Sequence, residues 1–266
     1  MDGLLINILN SIYGGSGEGL IATTINALSV LPQNTDQVIT AIADVMKPIG
    51  SVMVCIYFLM ALMDKVTAES FTTDHFIKLL IKLVFSIVVL DNIANWSLLI
   101  MQFGTTFTAA VAGAADLTEI RSLNAESIVE QLGFMQMAFT IAMMLIPWAA
   151  TLLVRVAIYF LTYGRAIEIG VRAAFSPLGC ADLINGGANS NGFRYIKKML
   201  AISIQGGIML IVVIFACNLV NSMLMDTVSS INPLDLVFIG KYLGCLMSMV
   251  GMMAASKTIA NDVIGA

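Results

Sequence analysis

Long apolar segments alternate with short polar connections along the 266 residues of this chain. Four of these segments are regular, and one, the second in chain order, is interrupted by polar residues. Each approaches or exceeds the ~20 residues that a helix needs to cross ~30 Å of hydrocarbon. The pattern therefore predicts an all-α, polytopic membrane protein with five transmembrane helices, at about 47–63, 76–101, 134–154, 196–224 and 236–256.

The segment before the first predicted span, residues 1–45, is too polar and too interrupted to cross a membrane. Apolar residues nevertheless recur at helical spacing over 4–12, and a second apolar helix is expected over 20–31, after the glycine-rich stretch GGSGEG at 14–19. We expect amphipathic helices outside the cytoplasm, either lying on the outer leaflet or contacting a partner or a neighbouring copy. Because no basic stretch or cleavage site follows Met1, we expect this segment to be retained.

The outer end of the second predicted span can be interpreted in two ways, because Asp91 and Asn92 interrupt the span and a further apolar run follows at 93–115. If that run crossed the membrane by itself, every later connection would change sides and six basic residues between Arg155 and Lys198 would face outward. The preference of basic residues for the cytoplasm opposes this arrangement. We therefore expect 93–115 to extend the second span and then to be re-entrant or interfacial.

Basic residues gather on one side of the membrane when the five spans are threaded through it in order. Since cytoplasmic connections hold the excess of Lys and Arg, the N-terminus is predicted outside and the C-terminus inside the cytoplasmic membrane. Residues 46–256 then form the transmembrane domain, with a cytoplasmic loop at 176–195 and a cytoplasmic tail at 257–266. Ten of the 13 basic residues fall on the inner side: Lys65, Lys78, Lys82, Arg155, Arg165, Arg172, Arg194, Lys197, Lys198 and Lys257.

Composition agrees with a membrane location and excludes an ordinary soluble domain. Hydrophobic residues make up 59% of the chain and charged residues 11%, whereas soluble proteins carry about 25% charged residues. The mean hydropathy is +0.92. The net charge of −4 adds an acidic outer face to a basic inner one, so it does not indicate an acidic surface that seeks a basic partner.

The residue types that carry catalysis or bind metals are sparse. The single histidine, His75, lies beside Asp74 without a second histidine or a cysteine nearby in sequence. The four cysteines show no C-x-x-C spacing, and GGSGEG lacks the lysine and hydroxyl of a phosphate-binding loop. We therefore expect no enzymatic activity, no metal ion and no cofactor.

Three charged residues fall on one face of a predicted helix. Arg165, Glu168 and Arg172 are spaced by three and four residues, so Glu168 is placed to neutralise both arginines. Pairing matters because an unpaired charge within a bilayer costs at least ~2.5–3.5 kcal/mol. Two interpretations stand side by side: a solvated helix face just inside the cytoplasmic surface, or a buried triad with a function. Ser176-Pro177 is predicted to end this helix, because proline disfavours helical geometry in the residue before it.

Small residues recur every three or four positions in the last span, where they would let helix backbones approach closely. This pattern predicts that the last span packs against another helix and that the protein is a homo-oligomer. In the preceding span the amide of Gln205 is interpreted as a polar contact between helices, with a pore lining as the alternative. The small residues are Gly240, Gly244, Ser248, Gly251 and Ala255.

The stretch 165–207 contains RAIEIGVRAAFSPLG, a glycine-rich connection, and RYIKKMLAISIQGG at the start of the next span. This order resembles the TrbL-like polytopic subunits of conjugative type IV secretion systems, in particular the small versions on integrative elements of Gram-positive bacteria. Outside this stretch only the topology is similar. The residues that match recurrent positions are Arg165, Glu168, Pro177, Lys198, Gln205 and Gly206, and Lys197 belongs to the same loop-to-span motif.

The resemblance implies a subunit of a translocation complex in the cytoplasmic membrane. Such a subunit assembles with copies of itself into a ring, works with other secretion subunits and separate ATPases, contacts membrane lipids, and passes DNA or protein. A scaffold that conducts nothing is an alternative within the same machine. A small-molecule permease or another channel is the competing class, and it predicts internal repeats with paired broken helices, which the two halves of the chain do not show.

Overall fold

The computed structural model describes residues 3, 6–8, 19–29, 35–67, 72–115, 134–183, 190–228 and 236–266. Within these ranges the regular elements are helices and no strand is present, which confirms the all-α fold. The helices are α1 (Leu20–Ser29), α2 (Thr35–Thr67), α3 (Thr73–Ala115), α4 (Phe134–Ala174), α5 (Ser176–Gly179), α6 (Asn191–Val228) and α7 (Leu236–Ile264).

Four helical segments are long and apolar enough to cross a membrane: Thr35–Thr67, Ala138–Ala174, Asn191–Val220 and Ile239–Ile264. The chain is therefore a multi-pass membrane protein, but the expected count of five spans is wrong for the described residues. The predicted span at 76–101 lies in α3, which is not among the four. Lys78, Lys82 and Asp91 fall within that segment, and each such charge opposes insertion by about 2.5–3.5 kcal/mol.

The helices extend well beyond the predicted spans. α3 has 43 residues and runs through 93–115 without a break, so that run continues α3 instead of forming a separate element. α4 has 41 residues and contains Pro147, which membrane helices tolerate. At 1.5 Å per residue α4 is about 62 Å long. α7 continues to Ile264, so most of the predicted tail at 257–266 is helical.

The chain divides into two compact units that do not follow the predicted order of segments, because α3, α4, α6 and α7 each contribute to both. Unit 1 comprises Met1–Val30, Phe107–Gly164 and Gly206–Ser256. Its buried core is apolar and consists of Ile8, Ala27, Met144, Val154, Ile158, Met209, Val213, Ala216, Tyr242, Leu246, Met249 and Met253.

The N-terminal region takes part in the core of unit 1. Gly3 and 6–8 are helical, and the rest of the amphipathic helix expected over 4–12 lies outside the described residues. Ile8 and Ala27 are buried among residues of α4, α6 and α7. These two apolar side chains therefore pack within the chain itself, where the sequence had predicted a membrane surface or a partner.

Unit 2 comprises Leu31–Thr106, Arg165–Gln205 and Lys257–Ala266. In this unit α2 and α3 pack against the end of α4, against α5 and against the start of α6. Three small apolar clusters make these contacts: Ile39, Met101, Ile169, Ala173, Met199 and Ile202; Val54, Leu90 and Ala181; and Val89, Ile93 and Cys180.

Two glycines allow the close approach of backbones in unit 2. A Cβ atom added at Gly50 would lie 2.8 Å from Leu90 Cδ1 and 3.0 Å from the carbonyl oxygen of Pro177. A Cβ atom at Gly104 would collide with the hydroxyl and carbonyl oxygens of Ser203. Small residues at such crossings are typical of membrane helices, because dispersion contacts replace the hydrophobic effect as the source of packing energy.

Candidate functional site

The carboxylate of Glu168 holds two cations in unit 2. Its Oε1 accepts a hydrogen bond from Arg172 Nη2 at 2.9 Å and another from Lys257 Nζ at 2.6 Å. Arg172 follows Glu168 by four residues on α4, whereas Lys257 belongs to α7. Both bonds are charge-assisted, so they are stronger than bonds between neutral groups. We call Arg165, Glu168, Arg172 and Lys257 the charged cluster.

Arg165 binds the backbone of α6 instead of Glu168. Its Nε donates to the carbonyl oxygen of Ile202 at 3.1 Å, and its Nη2 donates to that of Ser203 at 2.9 Å. A carbonyl oxygen has two lone pairs, so it accepts this bond in addition to the helical one. The prediction that Glu168 neutralises both arginines is therefore wrong for Arg165. The planar guanidinium group of Arg165 donates instead to two successive carbonyl groups, which its fixed N–H geometry matches.

The predicted helix end at Ser176-Pro177 coincides with the end of α4 at Ala174 and the start of the short α5. Ser176 Oγ donates to the carbonyl oxygen of Ala173 at 2.7 Å, and both Ser176 and Pro177 are buried. Proline suits the first turn of a helix, where its missing N–H needs no partner. The chain therefore turns at a fixed, buried corner.

Tyr195 of α6 stabilises this corner by a hydrogen bond and by the packing of its ring. Its hydroxyl donates to the carbonyl oxygen of Arg172 at 2.5 Å. A Cβ atom added at Gly179 would lie 2.7 Å from carbon atoms of the Tyr195 ring, so glycine leaves room for the ring. Cys180 is buried next to this corner beside Val89 and Ile93, and burial raises the pKa of its thiol to about 12. That thiol stays protonated at neutral pH and acts as a packing group.

The corner lies against the middle of α2. Gly50, which meets the Pro177 carbonyl, is in a segment that is long and apolar enough to cross a membrane. Its neighbours Ile49 and Val52 are 49% and 60% exposed, as expected for side chains that face lipid. Glu168 and Arg172 have only 31% and 27% of their side-chain surface exposed. Lys257 is 46% exposed. The charged residues are therefore partly buried, between the two interpretations of a buried triad and a solvated helix face.

The four loop-to-span residues differ in their surroundings. Lys197 Nζ donates to the carbonyl oxygen of Gly265 at 3.2 Å and lies 5.8 Å from the centre of the Phe193 ring. It thereby neutralises the carbonyl end of α7, the end at which a cation is favoured. Lys198 is exposed, whereas Gln205 and Gly206 are buried in α6. Residues 184–189 of the predicted loop lie outside the described residues.

The small residues of the last span face away from the core of unit 1. Gly240, Gly244, Ser248 and Gly251 are exposed, and a Cβ atom added at any of the three glycines would meet nothing within 4 Å. The core is filled from the other side of α7, by Tyr242, Leu246, Met249 and Met253. The small-residue face is thus not used for packing inside the described chain.

The arrangement joins the ends of helices through ion pairs and hydrogen bonds. Within the described ranges, no three His, Cys, Asp or Glu groups come together to hold a metal ion. The charged cluster contains one carboxylate and three cations, and the hydrogen bonds described above join these side chains to another charge or to a carbonyl oxygen. It is built to fix the relative position of α4, α6 and α7 in unit 2.

Sequence reasoning missed Lys257, Tyr195 and Ser203 as members of this site. Lys257 carried a signal, because it is a lone cation at the end of an apolar run and needs an acceptor. Tyr195 and Ser203 carried none, since a hydroxyl in a membrane helix is common and its partners here are backbone groups of other helices.

Comparisons with known proteins add no assignment. The chain matches no protein-family model, no curated protein and no solved structure.

Proposed function

We propose that this protein is a membrane-embedded channel or scaffold subunit of a conjugative type IV secretion system. It works in the cytoplasmic membrane as a ring of several copies, together with other secretion subunits and their ATPases, and helps DNA or protein substrates to cross. The observation that carries the proposal is the charged cluster, because three of its four residues, Arg165, Glu168 and Arg172, belong to the stretch that resembles the TrbL-like subunits.

Five of the six residues at recurrent positions, all but Gly206, belong to unit 2. Arg165 reaches the turn of α6 that precedes Gln205 and Gly206, Glu168 binds the end of α7, and Pro177 begins the short helix after α4. The contact of Arg165 with Ile202 and Ser203, 37 and 38 residues further along the chain, joins the two ends of the stretch and supports a shared structural task. That task is to hold a rigid corner where the secretion machine docks.

The chain carries no phosphate-binding lysine motif, so the proposed subunit draws its energy from separate ATPases. Its basic residues are explained by the charge rule for membrane proteins, and no nucleic-acid site is assigned to them. The proposal therefore places DNA in the complex as cargo, without a specific contact to this chain.

The ring of copies uses the exposed small-residue face of α7. Gly244→Leu should insert normally but weaken assembly, because a bulky side chain forces helices apart. Chemical cross-linking of the purified protein, followed by gel electrophoresis, measures this. The parent should give a discrete oligomer and the variant mostly monomer. Val237→Leu on the same helix, which is already large and 61% exposed, serves as the matched control. An unchanged oligomer in the Gly244 variant would remove this face from the interface.

The charged cluster lies on the cytoplasmic side in the proposal. The segments of unit 2 that carry the cluster, Arg165–Gln205 and Lys257–Ala266, contain six Lys and Arg residues and three Asp and Glu residues, and cytoplasmic segments hold the excess of Lys and Arg. In a cysteine-free background, Asp262→Cys should resist membrane-impermeant thiol reagents in intact cells and react in inside-out vesicles. The N-terminus outside that the sequence predicts requires five crossings. With four crossings, the N-terminal end of α2 lies on the same side as the end of α7, so Asp36→Cys should behave in the same way as Asp262→Cys. Labelling of Asp262→Cys from outside would reverse the orientation, and opposite behaviour of the two positions would show that α3 also crosses.

Substrate transfer tests the role of Glu168. Glu168→Leu leaves Arg172 and Lys257 without their shared acceptor, and a hydrogen bond between a partly buried carboxylate and a cation contributes about 1.5–3 kcal/mol. We expect transfer near background and a lower protein level. Glu168→Gln keeps the size and one acceptor oxygen, so its transfer and abundance should be intermediate. A mating assay with immunoblots of the membrane fraction measures both quantities.

The control is Asp44→Leu, which removes a 57%-exposed carboxylate from an ion pair with Lys47 on α2. Exposed pairs contribute less than about 1 kcal/mol, so this variant should transfer like the parent. Parental transfer by Glu168→Leu at normal abundance would refute the proposed role of the charged cluster.

A further inference from the structure

A cavity of about 300 Å³ opens where α2 ends and α3 begins, away from the charged cluster. Its lining contains three lysines and a histidine together with two aliphatic side chains. Lys65 comes from the last turn of α2, and the other residues come from the first turns of α3. The lining residues are Lys65, His75, Lys78, Leu79, Ile81 and Lys82.

The basic side chains of α3 share one helix face. His75, Lys78 and Lys82 are spaced by three and four residues, the spacing of neighbours on a helix surface. Lys78 and Lys82 are like charges four residues apart, which destabilises a helix, so an anion in the cavity relieves their repulsion. Lys78 forms an ion pair with Asp74 at 3.5 Å, and both side chains are more than two-thirds exposed. Such a pair is weak and leaves most of the positive charge of Lys78 available to an anion.

The surroundings of the cavity select a lipid over a free ion. Apolar side chains on both helices are exposed next to the lysines: Met63 66%, Val66 53%, Ile77 49%, Ile81 62% and Phe85 62%. α2 is also a candidate membrane span that ends at Thr67, beside Lys65. Lysines at the end of a span reach the depth of lipid phosphates while their stems cover apolar surface.

We propose that this lysine cavity, formed by Lys65, His75, Lys78 and Lys82, binds the phosphate headgroup of an anionic phospholipid. The acyl chains lie along the exposed apolar faces of α2 and α3. The His75 ring is oriented by a 2.5 Å hydrogen bond between its Nδ1 and Thr72 Oγ1, which fixes one wall of the site. This inference concerns lipid binding alone and does not depend on the proposed role in secretion.

Native mass spectrometry of the full-length protein in an uncharged detergent tests the proposal. The protein is titrated with phosphatidylglycerol, with phosphatidylcholine or with inorganic phosphate. We expect one tightly retained phosphatidylglycerol per chain, weaker retention of phosphatidylcholine, and no displacement of the lipid by millimolar phosphate. Lys65→Gln/Lys78→Gln/Lys82→Gln should weaken phosphatidylglycerol binding by at least about 30-fold, because each lysine near a lipid headgroup contributes several-fold to affinity.

The matched control is Lys47→Gln/Arg194→Gln/Lys241→Gln, which changes the net charge equally at positions outside the cavity. It should retain the lipid as the parent does. Equal loss in both triple variants, or no loss in the cavity variant, would overturn the site. Displacement of the lipid by phosphate would overturn the lipid assignment in favour of an ion site only. If the cavity triple variant does not fold, Lys82→Gln alone must weaken binding about fivefold for the proposal to stand.

Discussion

The guanidinium group of Arg165 joins two helices of unit 2, and it lies in a helical segment that is long and apolar enough to cross a membrane. Its two hydrogen bonds to the carbonyl oxygens of Ile202 and Ser203 need the end of α4 to lie directly beside α6. Ser203 in turn packs against Gly104, the glycine of α3 that has no room for a Cβ atom. Because an unpaired cation in apolar surroundings costs several kcal/mol, this contact restricts how these three helices are placed.

The same rule governs the other cations of unit 2. Lys257 and Arg172 share the carboxylate of Glu168, and Lys197 binds the carbonyl end of α7. Each of these contacts brings a helix end to a carboxylate or carbonyl oxygen. The result is a rigid corner around Ser176 and Pro177, and rigidity at this corner is what the proposed docking of secretion subunits requires.

The sequence allowed the fold class to be predicted, together with the pairing of Glu168 with Arg172, because both follow from short-range spacing. It did not reveal Lys257 as the second cation, since the two residues are 89 positions apart and meet only through the rotation and offset of α4 and α7. Nor did it reveal the acceptors of Arg165, because every residue carries a carbonyl group. The small-residue pattern of α7 identified a face for close packing but not whether the chain itself would fill it. The number of spans predicted from the sequence was too high, because the prediction relied on the apolar length of 76–101 and gave less weight to the charged residues within α3.

Comparison of Arg165→Lys with Arg194→Lys, by reversible unfolding in mixed detergent micelles, tests the central claim most directly. A lysine has one ammonium group in place of a planar fork, so it cannot donate to both carbonyls in the same geometry. Arg165→Lys is predicted to lower the free energy of unfolding by about 1.5–3 kcal/mol, the usual contribution of a hydrogen bond to a charged group. Arg194 is exposed, and its replacement should change stability by less than about 0.5 kcal/mol. Equal, small changes in the two variants would contradict the account, because they would mean that Arg165 does not hold α4 against α6.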